Sequence, residues 1–283
     1  MIMRRARPLL GTYVDIEANG RADPALETAV NAAFEAVSRV HRLMSFHDPD
    51  SDVSRLNRRA ACEPVSVDRW TATVLRHARR LFESTNGLFD CAVGHELMQR
   101  GALPSQDLDH VETGTFSAVE LLPHNRVRFS ARVAIDLGGI AKGFAVDRAI
   151  AILRGHGVRD AVVNAGGDMR VMGTARPIHV RCPAEPHGLV PAGLLRNGAV
   201  ATSTATATVA KGGARLNAQS ASVRPGAARI DHNAYSVVAP SCLVADALTK
   251  VLVQVGDIRA DYFGDFGACA FITSAAAVDD RAA

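Results

Sequence analysis

The stretch Asp136-Leu137-Gly138-Gly139-Ile140-Ala141-Lys142-Gly143-Phe144-Ala145-Val146-Asp147 decides how this chain is read. It sets two carboxylates, one lysine and three glycines in a single turn region. Glycines let a backbone approach a ligand closely or adopt positive φ. A lysine beside free N–H groups at a helix start suits a phosphate. An aspartate on the same turn can orient a sugar, a ring nitrogen or a metal. The same residues also suit a plain strand-to-helix turn whose glycines serve only packing, so the turn alone leaves both readings open.

Working outward, Arg126-Val127-Arg128-Phe129 alternates and Val133-Ala134-Ile135 runs apolar, and both are expected to be strands. Downstream, Phe144, Val146, Ala149, Ile150 and Leu153 recur at helical spacing, and Gly155 and Gly157 end that helix. Ala161-Val162-Val163-Asn164 then reads as a buried strand, and Ala165-Gly166-Gly167-Asp168 as a second tight turn closing on a carboxylate. Two glycine-rich turns, each carrying an aspartate, can converge on one ligand.

These two blocks resemble the core signature of the ApbE family, flavin transferases that move FMN from FAD onto a Thr or Ser of a target protein. Further matches follow in the family's order. Leu10-Gly11-Thr12 resembles its Met-Gly-Thr, and the segment from Met44 through His47 to Asn57 resembles its Met-Ser-x-Tyr…Ser-x-x-Ser-x-x-Asn. Gly87-Leu88-Phe89-Asp90 with Val93-Gly94 resembles Gly-x-Phe-Asp-x-x-Val-Gly. Ala201-Thr202-Ser203 and Ser236-Val237-Val238-Ala239-Pro240 with Ala245-Asp246-Ala247-Leu248 complete the set. The resemblance implies an α+β, ApbE-like fold of mixed or antiparallel sheets with flanking helices. It implies one compact domain over residues 1–274; the Ala- and charge-rich stretch 275–283 is expected to be a fraying tail.

What the resemblance implies for the site is specific. Asp136 and Lys142 contact FAD, while Leu88, Phe89 and Asp90 supply a wall and polar contacts. His47 stands where the family has Tyr, near the adenine, and Leu10 conserves the apolar volume of Met. Asp147 holds the turn together, Asp168 stands behind the ligand-contacting groups, and Asn57 shapes the mouth. A magnesium ion is expected at Asp246 and Thr249, with Gly139 supplying a carbonyl. The family's Thr position holds Lys250, with Thr249 one place earlier, a step of about 100° around a helix. Lys250 can therefore pair with Asp246 four residues away and set an ammonium where the metal would lie.

A second departure concerns the family's His-x-x-Asp-Pro-x-x-Gly, which is absent. His232, with Asp231, is the fallback base for the acceptor hydroxyl, since imidazole titrates near ~6.5. The implied activity is FMN transfer from FAD to a protein hydroxyl with release of AMP. A non-catalytic FAD carrier and an FAD pyrophosphatase giving FMN and AMP are the alternatives. Lys142, Asp246 and His232 are the expected catalytic groups, and a protein carrying an acceptor Thr or Ser the expected partner.

Composition agrees with an ordinary globular domain. The 283 residues are 48% hydrophobic and 22% charged, and only 5% aromatic, so Ala, Val and Leu must build the core. A net charge of +3 is too small to argue for nucleic acid. The five cysteines show neither metal spacing nor a disulfide framework, which fits a reducing compartment. No apolar run reaches the ~20 residues of a spanning helix. Arg4, Arg5 and Arg7 precede no apolar leader segment, so a cytoplasmic setting is expected. Residues 8–18 are expected as a strand, and 24–43, 68–84 and 243–255 as helices. The polar, Gly-rich stretch 204–231 is expected to bury little surface.

Overall fold

The computed structural model describes residues 2–20, 24–105, 108, 111–181, 188–204, 207–210, 213–216 and 233–274, with 207–210 and 213–216 in backbone only. The chain opens with β1 (Ile2–Leu9) and β2 (Thr12–Asn19), followed by α1 (Pro24–Met44), α2 (Asp52–Arg59), β3 (Val65–Ser66), α3 (Arg69–Ser84) and α4 (Gly94–Gln99). Next come β4 (Val119–Leu122), β5 (Arg126–Phe129), α5 (Ala141–Gly155), β6 (Asp160–Ala165), β7 (Asp168–Met172), β8 (Arg176–Arg181) and β9 (Leu189–Leu195). The remainder holds β10 (Ala199–Thr204), β11 (Ala207–Ala210), β12 (Gly213–Leu216), β13 (Ala234–Ala239), α6 (Cys242–Val255), α7 (Tyr262–Asp265) and β14 (Cys269–Thr273).

Seven strands form one sheet in the order β1-β2-β6-β7-β10-β13-β14, with every neighbouring pair antiparallel. Strand β2 explains its own burial. Val14, Ile16 and Ala18 alternate onto one face and are fully buried, while Asp15 and Glu17 turn to the other. Helix α6 packs on that sheet through β10 and β13, α5 packs on α6, and α1 packs on α5. Residues Cys242 to Val253 of α6 are all buried, as expected of a helix enclosed on every side. Small side chains such as Ala29, Ala33, Ala145, Ala149, Ala245 and Ala247 fill the layers between helices. On the opposite sheet face Val171, Ile178, Leu195 and Val200 form a smaller cluster under the β8–β9 hairpin.

The α+β expectation holds, and the helices expected at 24–43, 68–84 and 243–255 form within a few residues of those bounds. Two local expectations need correction. Residues 8–18 are not one strand but the meeting of two, joined by a two-residue turn at Leu10 and Gly11, both with positive φ. Val133-Ala134-Ile135 is apolar and buried but forms no strand. Its hydrogen bonds go to loops and to Asn57 instead. The expected tail at 275–283, most of the Gly-rich stretch including Asp231, and His232 lie outside the described residues.

Candidate functional site

Two hairpin tips frame one side of a cleft of about 370 Å³. The β1–β2 turn brings Leu10, Gly11 and Thr12, and the β6–β7 turn brings Ala165 and Gly166. The tips touch: a Cβ on Gly166 would lie 2.6 Å from Thr12 Oγ1, and Gly166 and Gly167 both have positive φ. Only glycine serves such a close, left-handed turn at low cost. The other side is the end of α1 and the loop after it, with His41, Met44, Phe46 and His47. The floor carries Asp136, Gly138, Lys142 and Lys250. The volume lies in the range of small-molecule sites.

Asp136 is held by its backbone. Its N–H donates to the Cys91 carbonyl at 2.8 Å. Asn57 brackets the preceding residue, accepting from Ile135 N–H at 2.8 Å and donating to its carbonyl at 3.0 Å. Gly94 N–H donates to Ala134 O, and a Cβ at Gly94 would meet that oxygen at 2.9 Å. The Asp136 carboxylate accepts from Gly138 N–H at 3.2 Å. Asn57 thus fixes the floor of the cleft from behind.

Lys142, in the first turn of α5, is ion-paired with Asp168 and lies 3.7 Å from Asp246 Oδ1. Asp246 is fully buried; its Oδ2 accepts from Gly143 N–H at 3.0 Å, and its Oδ1 accepts from the Lys250 ammonium at 3.0 Å. Lys250 also donates to Ser203 Oγ at 2.9 Å and to Thr249 Oγ1 at 3.0 Å. Two ammonium groups and two carboxylates thus form one cluster at the cleft floor, buried except at Lys142, which is partly exposed.

Charge states follow from this arrangement. Burial pulls the Lys142 ammonium towards neutrality, but Asp168 and Asp246 outweigh it and hold its pKa well above the ordinary lysine value. Burial alone would raise Asp246; Lys142, Lys250 and the Gly143 N–H overcome it, so its carboxyl is lowered and stays ionised. Asp168 goes the other way, because burial and the Asp246 charge outweigh Lys142. Burial, with Asp168, Asp147 and Asp246 nearby, pushes the Cys242 thiol well up, so it is no nucleophile at neutral pH.

The sequence-expected residues divide accordingly. Asp136, Lys142, Leu10 and His47 meet at the cleft. Asp246 and Asp168 stand just behind it, holding the lysines. Leu88, Phe89 and Asp90 do not line it. Phe89 is core, Asp90 accepts from Ala92 and Phe116 N–H groups, and the Leu88 carbonyl accepts from Gln254. That block supports the segment bearing Asp136 rather than forming a ligand wall. Asp147 caps another helix, accepting from Cys242 and Leu243 N–H groups at 2.9 and 3.0 Å. His41, in the last turn of α1 and outside every matched motif, also lines the cleft.

A magnesium ion does not fit these residues as they stand. Both Asp246 oxygens are engaged, one by an ammonium. Thr249 Oγ1 donates to the Asp246 carbonyl oxygen and accepts from Lys250, and Gly139 is buried and does not line the cleft. Charges of +2 and +1 about 4 Å apart repel by roughly 8 kcal/mol at an effective dielectric of 20. Among the described residues, no three His, Cys, Asp or Glu side chains are placed to share a metal.

Against known proteins, the chain matches the ApbE family model over residues 10–264. It belongs to the ApbE family. The chain is 30% identical over 183 residues to the FAD:protein FMN transferase of Vibrio cholerae, covering 60% of this chain and 54% of that one. It is 28% identical over 185 residues to the protein of the same name from Treponema pallidum, covering 60% of this chain and 51% of that one. The chain thus spans about half the length of the curated relatives it matches. The crystal structure of the ApbE protein of Thermotoga maritima superposes with a TM-score of 0.78 at 27% identity, covering 99% of this chain and 98% of that one. The flavin transferase ApbE structure from Vibrio cholerae, 24% identical, shares the fold with a TM-score of 0.72, covering 89% and 86% of the two chains. Among the described residues of this ApbE-family chain, no helix is long and apolar enough to cross a membrane.

Proposed function

We propose that this chain is an FAD:protein FMN transferase. The observation that carries the reading is the Lys142 ammonium, kept charged at the cleft floor by Asp168 and Asp246 beside Asp136. A dinucleotide's diphosphate needs such a preorganised cation in a water-poor site. The acceptor hydroxyl of a Thr or Ser forms a new P–O bond at the FMN phosphorus. The bond from that phosphorus to the bridging oxygen breaks, and AMP leaves with the electron pair. The hydroxyl proton passes to a base at the mouth, where His41 and His47 stand among the described residues.

Each group has a defined part. Lys142 offsets charge growing on the phosphoryl oxygens. Asp136, fixed through Asn57 and Cys91, orients the flavin-bearing half. Leu10 and Met44 supply apolar surface to the rings. The scattered cysteines, free among those described, support a reducing, cytoplasmic setting.

The deciding experiment incubates the chain with FAD and a protein bearing an acceptor Thr or Ser. Flavin fluorescence on the acceptor after denaturing electrophoresis, with AMP released, is the expected result. Free FMN and AMP without a labelled acceptor would make the protein a pyrophosphatase. Bound but unchanged FAD would make it a carrier.

A further inference from the structure

We propose that Lys250 is a built-in cation of the diphosphate site, taking the post beside Asp246 that a divalent metal would otherwise hold, so that flavin binding and transfer need no metal. The inference rests on the flavin-site reading above and extends it.

The surroundings of Lys250 carry the argument. One carboxylate oxygen and two hydroxyl oxygens, from Asp246, Ser203 and Thr249, converge within 3.0 Å of a single point. Such a set of hard oxygens is what a small divalent cation seeks. Here the point is filled by an amine of the chain itself, and its three N–H groups match the three acceptors. Lys250 is 4% exposed, yet it belongs to the cleft wall. A phosphate oxygen entering the cleft can replace one hydroxyl as its acceptor, giving a charge-assisted hydrogen bond.

Charge balance points the same way. Lys142 and Lys250 together neutralise Asp168 and Asp246, so the cluster offers no surplus negative charge to a divalent ion. It does offer two ammonium groups to an entering diphosphate. In the transfer step, the P–O bond to the acceptor forms as the bridging P–O bond breaks. The electron pair departs on AMP and the hydroxyl proton goes to the base at the mouth. Lys250 and Lys142 supply the compensating positive charge, and no further reactant is required.

The test uses the full chain. Mn²⁺ is titrated against it and followed by electron paramagnetic resonance, with and without FAD. FAD affinity is then measured by flavin fluorescence in EDTA and in Mg²⁺. The expected results are an undiminished free-Mn²⁺ signal and the same FAD affinity in both media. Lys250→Thr is expected to weaken FAD binding roughly ten- to hundredfold in EDTA and to create a Mn²⁺ site. Should that variant fold poorly by circular dichroism, the paired change Asp246→Asn with Lys250→Met removes both charges and tests the same loss of affinity. One Mn²⁺ bound per wild-type chain, or FAD affinity lost in EDTA and restored by Mg²⁺, overturns the proposal. Failure of folded wild-type chain to bind FAD in either medium overturns the flavin reading instead, and the Mn²⁺ titration still decides what occupies the Asp246 post.

Discussion

The backbone N–H of Gly143 donates to Oδ2 of Asp246 over 3.0 Å, joining the first turn of α5 to the second turn of α6 across 103 residues of sequence. The bond exists because residue 143 has no side chain. A Cβ there would lie 2.2 Å from the Cys242 carbonyl oxygen. This glycine of the ApbE signature is thus a helix-packing residue that also aims a carboxylate at two lysines.

Gly143→Ala should therefore force the two helix ends apart. Overpacking of this kind costs about 1–3 kcal/mol, and Asp246 loses a donor as well. Urea unfolding should show a lower midpoint, and FAD affinity should fall with it because Lys142 moves. A variant as stable as wild type would mean that the helices are not in this contact.

Asp147 caps α6 from another helix, so its loss should act on stability more than on ligand binding. Asp147→Ala frees the Cys242 and Leu243 N–H groups and leaves Arg170 without its carboxylate. A lost cap costs about 0.5–2 kcal/mol. Asp147→Asn keeps one acceptor and should lose less. Paired urea midpoints and FAD titrations check the order; a collapse of affinity at unchanged stability would place Asp147 on the ligand.

Leu10 has a φ of 58° in a two-residue hairpin turn that ordinarily takes Asn or Gly. Holding a leucine there costs roughly 1–2 kcal/mol, and the residue lines the cleft. Leu10→Asn should raise the thermal midpoint while weakening FAD binding, since strain is released and apolar ligand contact is lost. If stability rises with affinity intact, the leucine has no role in binding.

The pH dependence should be carried by the buried charges. The folded pKa of Lys142 is raised, so its stabilising contribution is complete below the unfolded lysine value of about 10.4 and fades only as pH climbs through the folded value. The folded pKa of Asp246 is lowered, so its contribution is complete above about 3.9 and is lost as pH falls through the folded value. Neither should change across the neutral range. In Lys142→Met, Asp168 loses its cation, and its already raised carboxyl climbs further. That variant's stability deficit should shrink as pH falls through the raised value of the folded carboxyl, because the folded form then takes up a proton that the unfolded form does not. Urea midpoints of both proteins over a pH series measure it, and a pH-independent deficit counts against the ion pair.

Much of the architecture was legible because local patterns were strong. The period of α1 and α5 and the Gly166-Gly167 turn agree with the elements they form. The site was legible only in part. Asp136 and Lys142 follow from the glycine-rich turn, but Leu88, Phe89 and Asp90 lie beside the floor and not on it. Their motif reflects hydrogen bonds to Phe116 and Gln254, which no spacing encodes. The apolar run at 133–135 signals burial, and burial alone does not say whether a backbone finds a strand or an asparagine.

By itself, the sequence determined the three long helices at 24–43, 68–84 and 243–255, the glycines of the turns at 138–143 and 166–167, and membership of the ApbE family. These rest on interactions within a few residues, or on residues matched in order along the chain. Tertiary structure alone decided that Asp147 caps α6, that Asn57 braces Asp136, and that Lys250 fills a cage of oxygens between Asp246, Ser203 and Thr249. Each joins groups from separate segments, and the strength of a buried charge pair depends on who else surrounds it, which only the packed interior fixes.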